Sequence, residues 1–102
     1  MSVQFAILFS EGVKEDLKGL RAYDRRIILD AIETQLIHAP TVETKKRKLL
    51  RNLVLPFDAI PPIWQFRVGA FRIFYDVDEG GHRVYVRAVR GKPAHMNTEE
   101  IL

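Results

Sequence analysis

The chain has 102 residues, 47% of them apolar, a formal net charge of +3 and an isoelectric point near 9.4. That length supports one core and excludes two, so residues 1–102 are read as a single domain; the absence of cysteine excludes a disulfide frame and a thiolate zinc site, and makes a reducing compartment the default. No apolar stretch approaches the roughly eighteen residues that a spanning helix needs, and the N-terminus MSVQFAILFSEGVKEDL has no basic segment before its apolar run, which implies a soluble, cytoplasmic protein.

Val3, Phe5, Ile7 and Phe9 alternate with Gln4, Ala6 and Leu8, the pattern of a strand with one buried face. Ser10 then offers an N-cap with Glu11 in the first turn. Val13, Leu17 and Leu20 at helical spacing predict a short amphipathic helix to about Gly19. Asp24 is positioned to cap a second, longer helix with Ile27, Ile28, Ala31, Ile32, Gln35 and Leu36 as its inward stripe and Ala39-Pro40 as its end. His38 reads as a cation at that helix's C-terminal end.

Between Thr41 and Pro62 the pattern is less regular. Lys45, Lys46, Arg47, Lys48 and Arg51 put five cations in seven positions, whereas residues 1–40 are slightly acidic and residues 64–102 nearly balanced. Such a run is either a solvated surface or a track for phosphates, whose displaced counterions would make binding salt-dependent. Leu49, Leu50, Leu53 and Leu55, followed by Pro56, Pro61 and Pro62, predict a short turn of helix or an extended connection.

Three period-two runs follow, WQFRV, FRIFYDVDE and HRVYVRAVR, separated by Gly69-Ala70 and Gly80-Gly81, which predicts a three-stranded antiparallel meander. Two-residue turns set the register: Val68 opposite Phe71, Arg67 opposite Arg72, Phe66 opposite Ile73 and Trp64 opposite Tyr75, then Asp78 opposite Arg83, Val77 opposite Val84, Tyr75 opposite Val86 and Ile73 opposite Ala88. One face thus gathers Trp64, Phe66, Val68, Phe71, Ile73, Tyr75, Val77, Val84, Val86 and Ala88 as core. The other carries Gln65, Arg67, Arg72, Phe74, Asp76, Asp78, Arg83, Tyr85 and Arg87. Like charges directly across a sheet are destabilising. Arg67 and Arg72 side by side, with Arg87 a diagonal step away and no carboxylate in register, therefore suggest a surface for an anion. Phe74 and Tyr85 on that face either stack on unpaired bases or are covered by the C-terminal tail or a partner helix, covering being the favoured reading. The tail GKPAHMNTEEIL offers Asn97 or Thr98 as cap for a last helical turn. The expected fold is α+β, two N-terminal helices packed on an antiparallel sheet in the order β-α-α-β-β-β.

A helical hairpin, a basic linker, and WQFRVGAFRIFYDVDE with a last strand ending VRAVRGK resemble the RelE/ParE superfamily of toxins from type II toxin–antitoxin pairs. The similarity runs from about Phe5 to Lys92 and is most specific at Arg67–Val77. It implies a microbial-ribonuclease-like fold, a cognate antitoxin and, in the RelE-like branch, cleavage of mRNA in the ribosomal decoding site. In the ParE-like branch it implies a non-catalytic toxin that poisons DNA gyrase, and a toxin-fold protein that only binds an antitoxin is a third possibility. Carried over by position, Arg72 matches the arginine that contacts the scissile phosphate, and Arg67 matches a basic position in the preceding strand. Gln65 and Ile63 fall where RelE enzymes place two lysines, Lys92 falls near their catalytic arginine or histidine, and Thr98 stands roughly where they have a tyrosine.

Cleavage of RNA by its own 2′-hydroxyl needs a base, an electrostatic clamp on the phosphorane and an acid for the leaving 5′-oxygen. Arg67 and Arg72, with Lys92 and His95 beyond the last strand, are the candidate catalytic set; His82 sits at the opposite end of the meander. Lys45, Lys46, Arg47, Lys48, Arg51, Arg87 and Arg90 are the candidate RNA-binding cations. No spacing of three metal-ligand residues and no glycine-rich phosphate loop occurs, so no metal or cofactor is expected.

Overall fold

The computed structural model describes residues 3–51, 54–93 and 95–102. Leu53 of the Leu49–Leu55 apolar series lies outside them. In chain order the elements are β1 (Ala6–Phe9), α1 (Glu11–Lys18), α2 (Ala22–Gln35), β2 (Arg47–Leu50), β3 (Ile63–Val68), β4 (Phe71–Asp78), β5 (Arg83–Gly91) and α3 (Thr98–Ile101). The strands form one sheet in the order β1-β5-β4-β3-β2, with β1 parallel to β5 and the other neighbours antiparallel. The α+β expectation holds. In topology two features differ from the sequence reading: β1 makes the sheet mixed, because it pairs with β5 in parallel at the edge opposite β2, and the basic run forms a strand of its own. Among the described residues no helix is long and apolar enough to cross a membrane.

α1 forms where its spacing predicts. The Ser10 hydroxyl accepts from the Val13 N–H at 3.2 Å, and Val13 and Leu17 are buried. α2 begins earlier than a cap at Asp24 would allow. Arg21 takes the N-cap position without a side-chain bond, and Asp24 in the first turn accepts from Arg21 Nε at 3.1 Å, where its charge suits the helix dipole. Its buried positions are Ile28 and Ile32, and the C-cap residue Leu36 continues the four-residue spacing, whereas Ile27 is 40% exposed and Gln35 is exposed, one step off the stripe in each case. The helix stops at Gln35, short of Ala39-Pro40.

The β3–β4 register is as the turn dictates, including Arg67 opposite Arg72 and Trp64 opposite Tyr75, with Gly69 at a left-handed φ of 57°. The β4–β5 turn keeps Asp78 opposite Arg83 but spends four residues, and its left-handed position is His82 (φ 53°). A Cβ at Gly81 would lie 2.5 Å from an Asp78 carboxylate oxygen, so a side chain there would displace that exposed carboxylate from the turn.

Further along, β5 contains a bulge. Tyr75 pairs with Val86 but Phe74 pairs with Ala88, leaving Arg87 as the extra residue. Ala88 therefore leaves the core face expected for it and joins Phe74, while Val89 takes the place opposite Ile73. The bulge lies where β1 ends. The Ser10 N–H donates to Val86 O at 3.1 Å and the Ser10 hydroxyl to Arg87 O at 3.2 Å, so one serine both caps α1 and fixes the bulge.

The sheet is buried on both sides. Against α1 and α2 lie Phe66, Ile73, Tyr75, Val84, Val86 and Val89. On the other side Phe74, Ile63, Ala88 and Ile101 form a second core, covered by Phe57, Leu55, Met96 and Leu102. Phe74 is thus covered by the tail and the preceding loop, the favoured of the two readings.

Tyr75 is fully buried, stacks on Trp64 with ring centroids 6.3 Å apart, and donates its hydroxyl to Pro40 O. Burial pushes its phenol well above its ordinary value, the nearby Arg47 only partly opposing this. Because the folded state keeps the phenol neutral while the unfolded chain ionises it near pH 10, the associated stability is complete below about pH 10 and is lost as pH rises further. Tyr75→Phe should cost about 1 kcal/mol at pH 7 through the lost hydrogen bond. That deficit should narrow above about pH 10 in denaturant titrations of both proteins, and a deficit that stays constant or grows would contradict the buried neutral phenol. Ile101→Ala should cost roughly 2 kcal/mol by the same measurement, as truncation of a core aliphatic does; no loss would mean that α3 does not seal the second core.

Candidate functional site

Strand pairing assembles the site. Thr44 fixes the start of β2: its hydroxyl accepts from the N–H groups of Lys46 and Arg47, both at 3.1 Å, and its own N–H donates to Arg47 O at 2.8 Å. β2 then pairs with β3, Lys48 opposite Gln65 and Arg47 opposite Phe66, and the Arg67 N–H donates to Lys46 O at 2.7 Å. Alternation along a strand therefore puts Lys46 and Lys48 on the side of Gln65 and Arg67, and turns Arg47 and Leu49 to the core side. β4 brings Arg72 opposite Arg67. Beyond β5, the Lys92 N–H donates to Ala70 O at 2.7 Å, which holds Lys92 beside the β3–β4 turn.

These pairings leave a cleft of about 270 Å³ lined by Lys45, Lys46, Lys48, Arg67, Arg72 and Lys92, together with Thr44, Gln65 and Thr98. Six cations meet there, and among the described residues none of them belongs to any of the ion pairs of the fold. Arg72 Nη1 is steadied by Gly69 O and Phe71 O, each at 3.0 Å. Partial burial, and then the Arg67 guanidinium, lower the pKa of Arg72 from its ordinary value. An arginine does not give up its proton under such pressure, so the strain persists as repulsion that a bound anion would relieve. Gln65 is buried, and its Oε1 accepts the Thr98 hydroxyl at 2.7 Å, pinning the start of α3 against the cleft floor.

Three of the candidate RNA-binding cations are engaged elsewhere. Arg47 is 7% exposed, donating through Nε to Val42 O at 3.1 Å and through Nη1 to Gln35 Oε1 at 3.0 Å, because strand alternation turns it inward. The bulge aims Arg87 at Asp76, with bonds of 2.7 and 3.3 Å, and its guanidinium lies 4.8 Å from the Tyr85 ring centroid, so it does not extend the Arg67–Arg72 pair. Arg90, opposite Arg72 in register, reaches Asp16 of α1 at 2.7 Å. Arg51 is exposed and lines an adjoining cavity. His95 is exposed in the turn after β5 and is not among the residues lining the cleft. Two contributors escaped the sequence reading: β2 as a strand, which brings Lys45, Lys46 and Lys48 to the arginines, and the Gln65–Thr98 bond. The first had a signal in the alternation of Lys46 and Lys48 with Arg47 and Leu49; the second had none. Among the described residues no cluster of three or more potential metal ligands occurs.

Solved structures share this fold. The toxin–antitoxin complex RelBE2 from Mycobacterium tuberculosis matches with a TM-score of 0.72 at 19% identity, over 88% of this chain and 93% of that one. The archaeal RelE–RelB complex from Pyrococcus horikoshii OT3 matches with a TM-score of 0.63 at 17% identity, over 90% and 99%. A mutant of E. coli toxin RelE in the free state matches with a TM-score of 0.64 at 21% identity, over 88% and 84%. No individual curated protein matches the chain. The family model of the ParE toxin of the type II toxin–antitoxin system parDE matches residues 7–92, which is most of the chain and takes in β2 to β5 whole and β1 from its second residue. The chain therefore belongs to the ParE toxin family of type II toxin–antitoxin systems, within the RelE/ParE superfamily.

Proposed function

We propose that this protein, as the toxin of its pair, is an endoribonuclease that arrests translation by cutting ribosome-bound mRNA. The observation that supports this reading is the convergence of six cations, none paired with a carboxylate among the described residues, on one cleft. In the proposed step the 2′-hydroxyl attacks the adjacent phosphorus and the bond to the 5′-oxygen breaks, giving a 2′,3′-cyclic phosphate and a 5′-hydroxyl end. Arg67 and Arg72 stabilise the charge that grows on the phosphorane oxygens. The Lys92 ammonium donates the proton that the leaving 5′-oxygen needs. Lys48 of β2, with Lys45 and Lys46 just before it, holds the flanking phosphates, standing in for the two lysines that RelE enzymes carry at the positions of Ile63 and Gln65. No imidazole or carboxylate lines the cleft among the described residues, so removal of the 2′-hydroxyl proton falls to solvent or to a group of the ribosome.

Arg72→Ala relieves a like-charge pair and removes a clamp worth about 2.7–4 kcal/mol in the transition state if it behaves as an oxyanion-hole donor. The variant should keep the thermal stability of the parent and lose toxicity in growing cells by about two orders of magnitude or more; Arg72→Lys should restore it incompletely, since a point charge cannot reproduce a bidentate fork. Mapping mRNA ends after expression should show cyclic-phosphate termini within translated frames for the parent only. An unfolded Arg72→Ala would make the arginine structural, and a folded, fully toxic one would remove the sheet face from the mechanism.

A second reading is favoured by the matching model itself, which is that of ParE toxins: non-catalytic binding and poisoning of DNA gyrase. Purified gyrase separates the two, because poisoning yields cleaved DNA complexes and leaves mRNA whole. Under either reading the cognate antitoxin has to neutralise the cationic face. In the complex, hydrogen exchange should slow across Lys45–Arg51 and around Arg67 and Arg72; an antitoxin that leaves all of these unprotected would contradict the electrostatic account.

A further inference from the structure

Beside the cationic cleft lies a second cavity of about 430 Å³, and the two share Lys48 and Thr98. Their chemistry differs. The first is lined by cations and uncharged polar groups, which suits a phosphate; the second is lined by Leu49, Leu50, Arg51, Asn97 and Glu99. A nucleotide seated with its phosphate on Arg67 and Arg72 would have the second cavity next to it for a base.

Hydrogen-bonding capacity narrows which base fits. Glu100 is consumed in a capping box, its N–H donating to Asn97 Oδ1 at 3.0 Å and its Oε1 accepting from the Asn97 N–H at 3.1 Å. Glu99 beside it is exposed, and among the described residues it makes no ion pair. With its oxygen occupied, the Asn97 carboxamide presents its amino group as a donor. A carboxylate next to a phosphate track weakens every nucleic acid alike unless it contacts a base. Guanine is the base that presents two adjacent donors, its ring imino N–H and its exocyclic amino group, with a carbonyl acceptor alongside. Two carboxylate oxygens and one amide donor complement that edge, and Arg51 can stack its guanidinium on the ring.

We propose that the second cavity is a guanine-reading subsite, with Glu99 accepting from the imino and amino groups, Asn97 donating to the carbonyl and Arg51 covering the face. It rests on the reading of the cationic cleft as an RNA phosphate site. The test is displacement of a fluorescent single-stranded RNA from the purified chain by the four nucleoside 3′-monophosphates. Guanosine 3′-monophosphate should compete at least about ten-fold better than the others, the discrimination expected of a bidentate base contact. Glu99→Gln and Glu99→Ala, both at an exposed position, should abolish that preference without weakening the other three, whereas Arg72→Ala should weaken all four together. Equal competition by the four, preference for another base, or a guanine preference that survives both Glu99 variants overturns the subsite while the RNA site stands. Failure of the parent chain to bind the RNA at all overturns both.

Discussion

A turn with Gly69 at a φ of 57° closes β3 onto β4 so tightly that Arg67 has no position except opposite Arg72. Two guanidinium groups across a sheet cost about 0.2–1 kcal/mol. The same register puts Phe66 opposite Ile73 and Trp64 opposite Tyr75, all four buried, and each such side chain contributes roughly 1.5–3 kcal/mol by leaving water. A slip of one residue would separate the arginines but turn every one of those side chains to the wrong face. Burial wins by several-fold. The folded chain therefore holds a repulsion that it cannot relax by itself, and the fold stabilises a surface that an anion would complete.

Charge elsewhere in the sheet is handled the opposite way. Asp76 is 2% exposed and accepts from Arg87 and from the Ile60 N–H at 3.1 Å, so one carboxylate neutralises an arginine and fastens the loop that carries Phe57 over Phe74. Asp16 likewise accepts from Arg90 and from the Val89 N–H at 3.0 Å, on the stretch of β5 that β1 no longer covers. Removing either carboxylate would leave a partly buried cation unpaired, an arrangement far more costly than a missing surface pair. Arginines in the middle of the structure thus serve its packing. At the Gly69 end, among the described residues, the chain instead assembles six cations without an ion-pairing acid.

Much of this was legible beforehand, for reasons that separate local from non-local information. The meander register, the Ser10 cap and the burial of Tyr75 follow from a period of two, a glycine turn and a hydroxyl at a helix start, each a relation among near neighbours. The bulge at Arg87 was not legible, because it depends on where β1, far away in sequence, stops pairing with β5 and Ser10 turns the chain into α1. That single displacement moved Ala88 from the helix-side core to the second core, brought Val89 into its place and took Arg87 away from Arg72. β2 was missed because charge density masked its alternation: five cations read as a block hide the fact that Arg47 and Lys48 point to opposite sides. The candidate site was correspondingly half legible. Arg67, Arg72 and Lys92 were placed together by register and chain continuation, whereas Lys45, Lys46 and Lys48 joined them only through the pairing of an edge strand whose partner lies beyond a proline-rich loop.

Coupling between the second core and the cleft is the remaining physical consequence. The tail after Lys92 returns along the sheet, seats Ile101 among Ile63, Phe74 and Ala88, and in the same helical turn places the Thr98 hydroxyl on Gln65. Apolar burial at one end of α3 thereby fixes a polar contact at the other, and the side-chain amide of Gln65 is oriented by packing several residues away. Four residues of helix are far too few to persist by propensity in water. Their conformation is a product of the sheet they cover, so the shape of the cleft is as stable as the second core and no more.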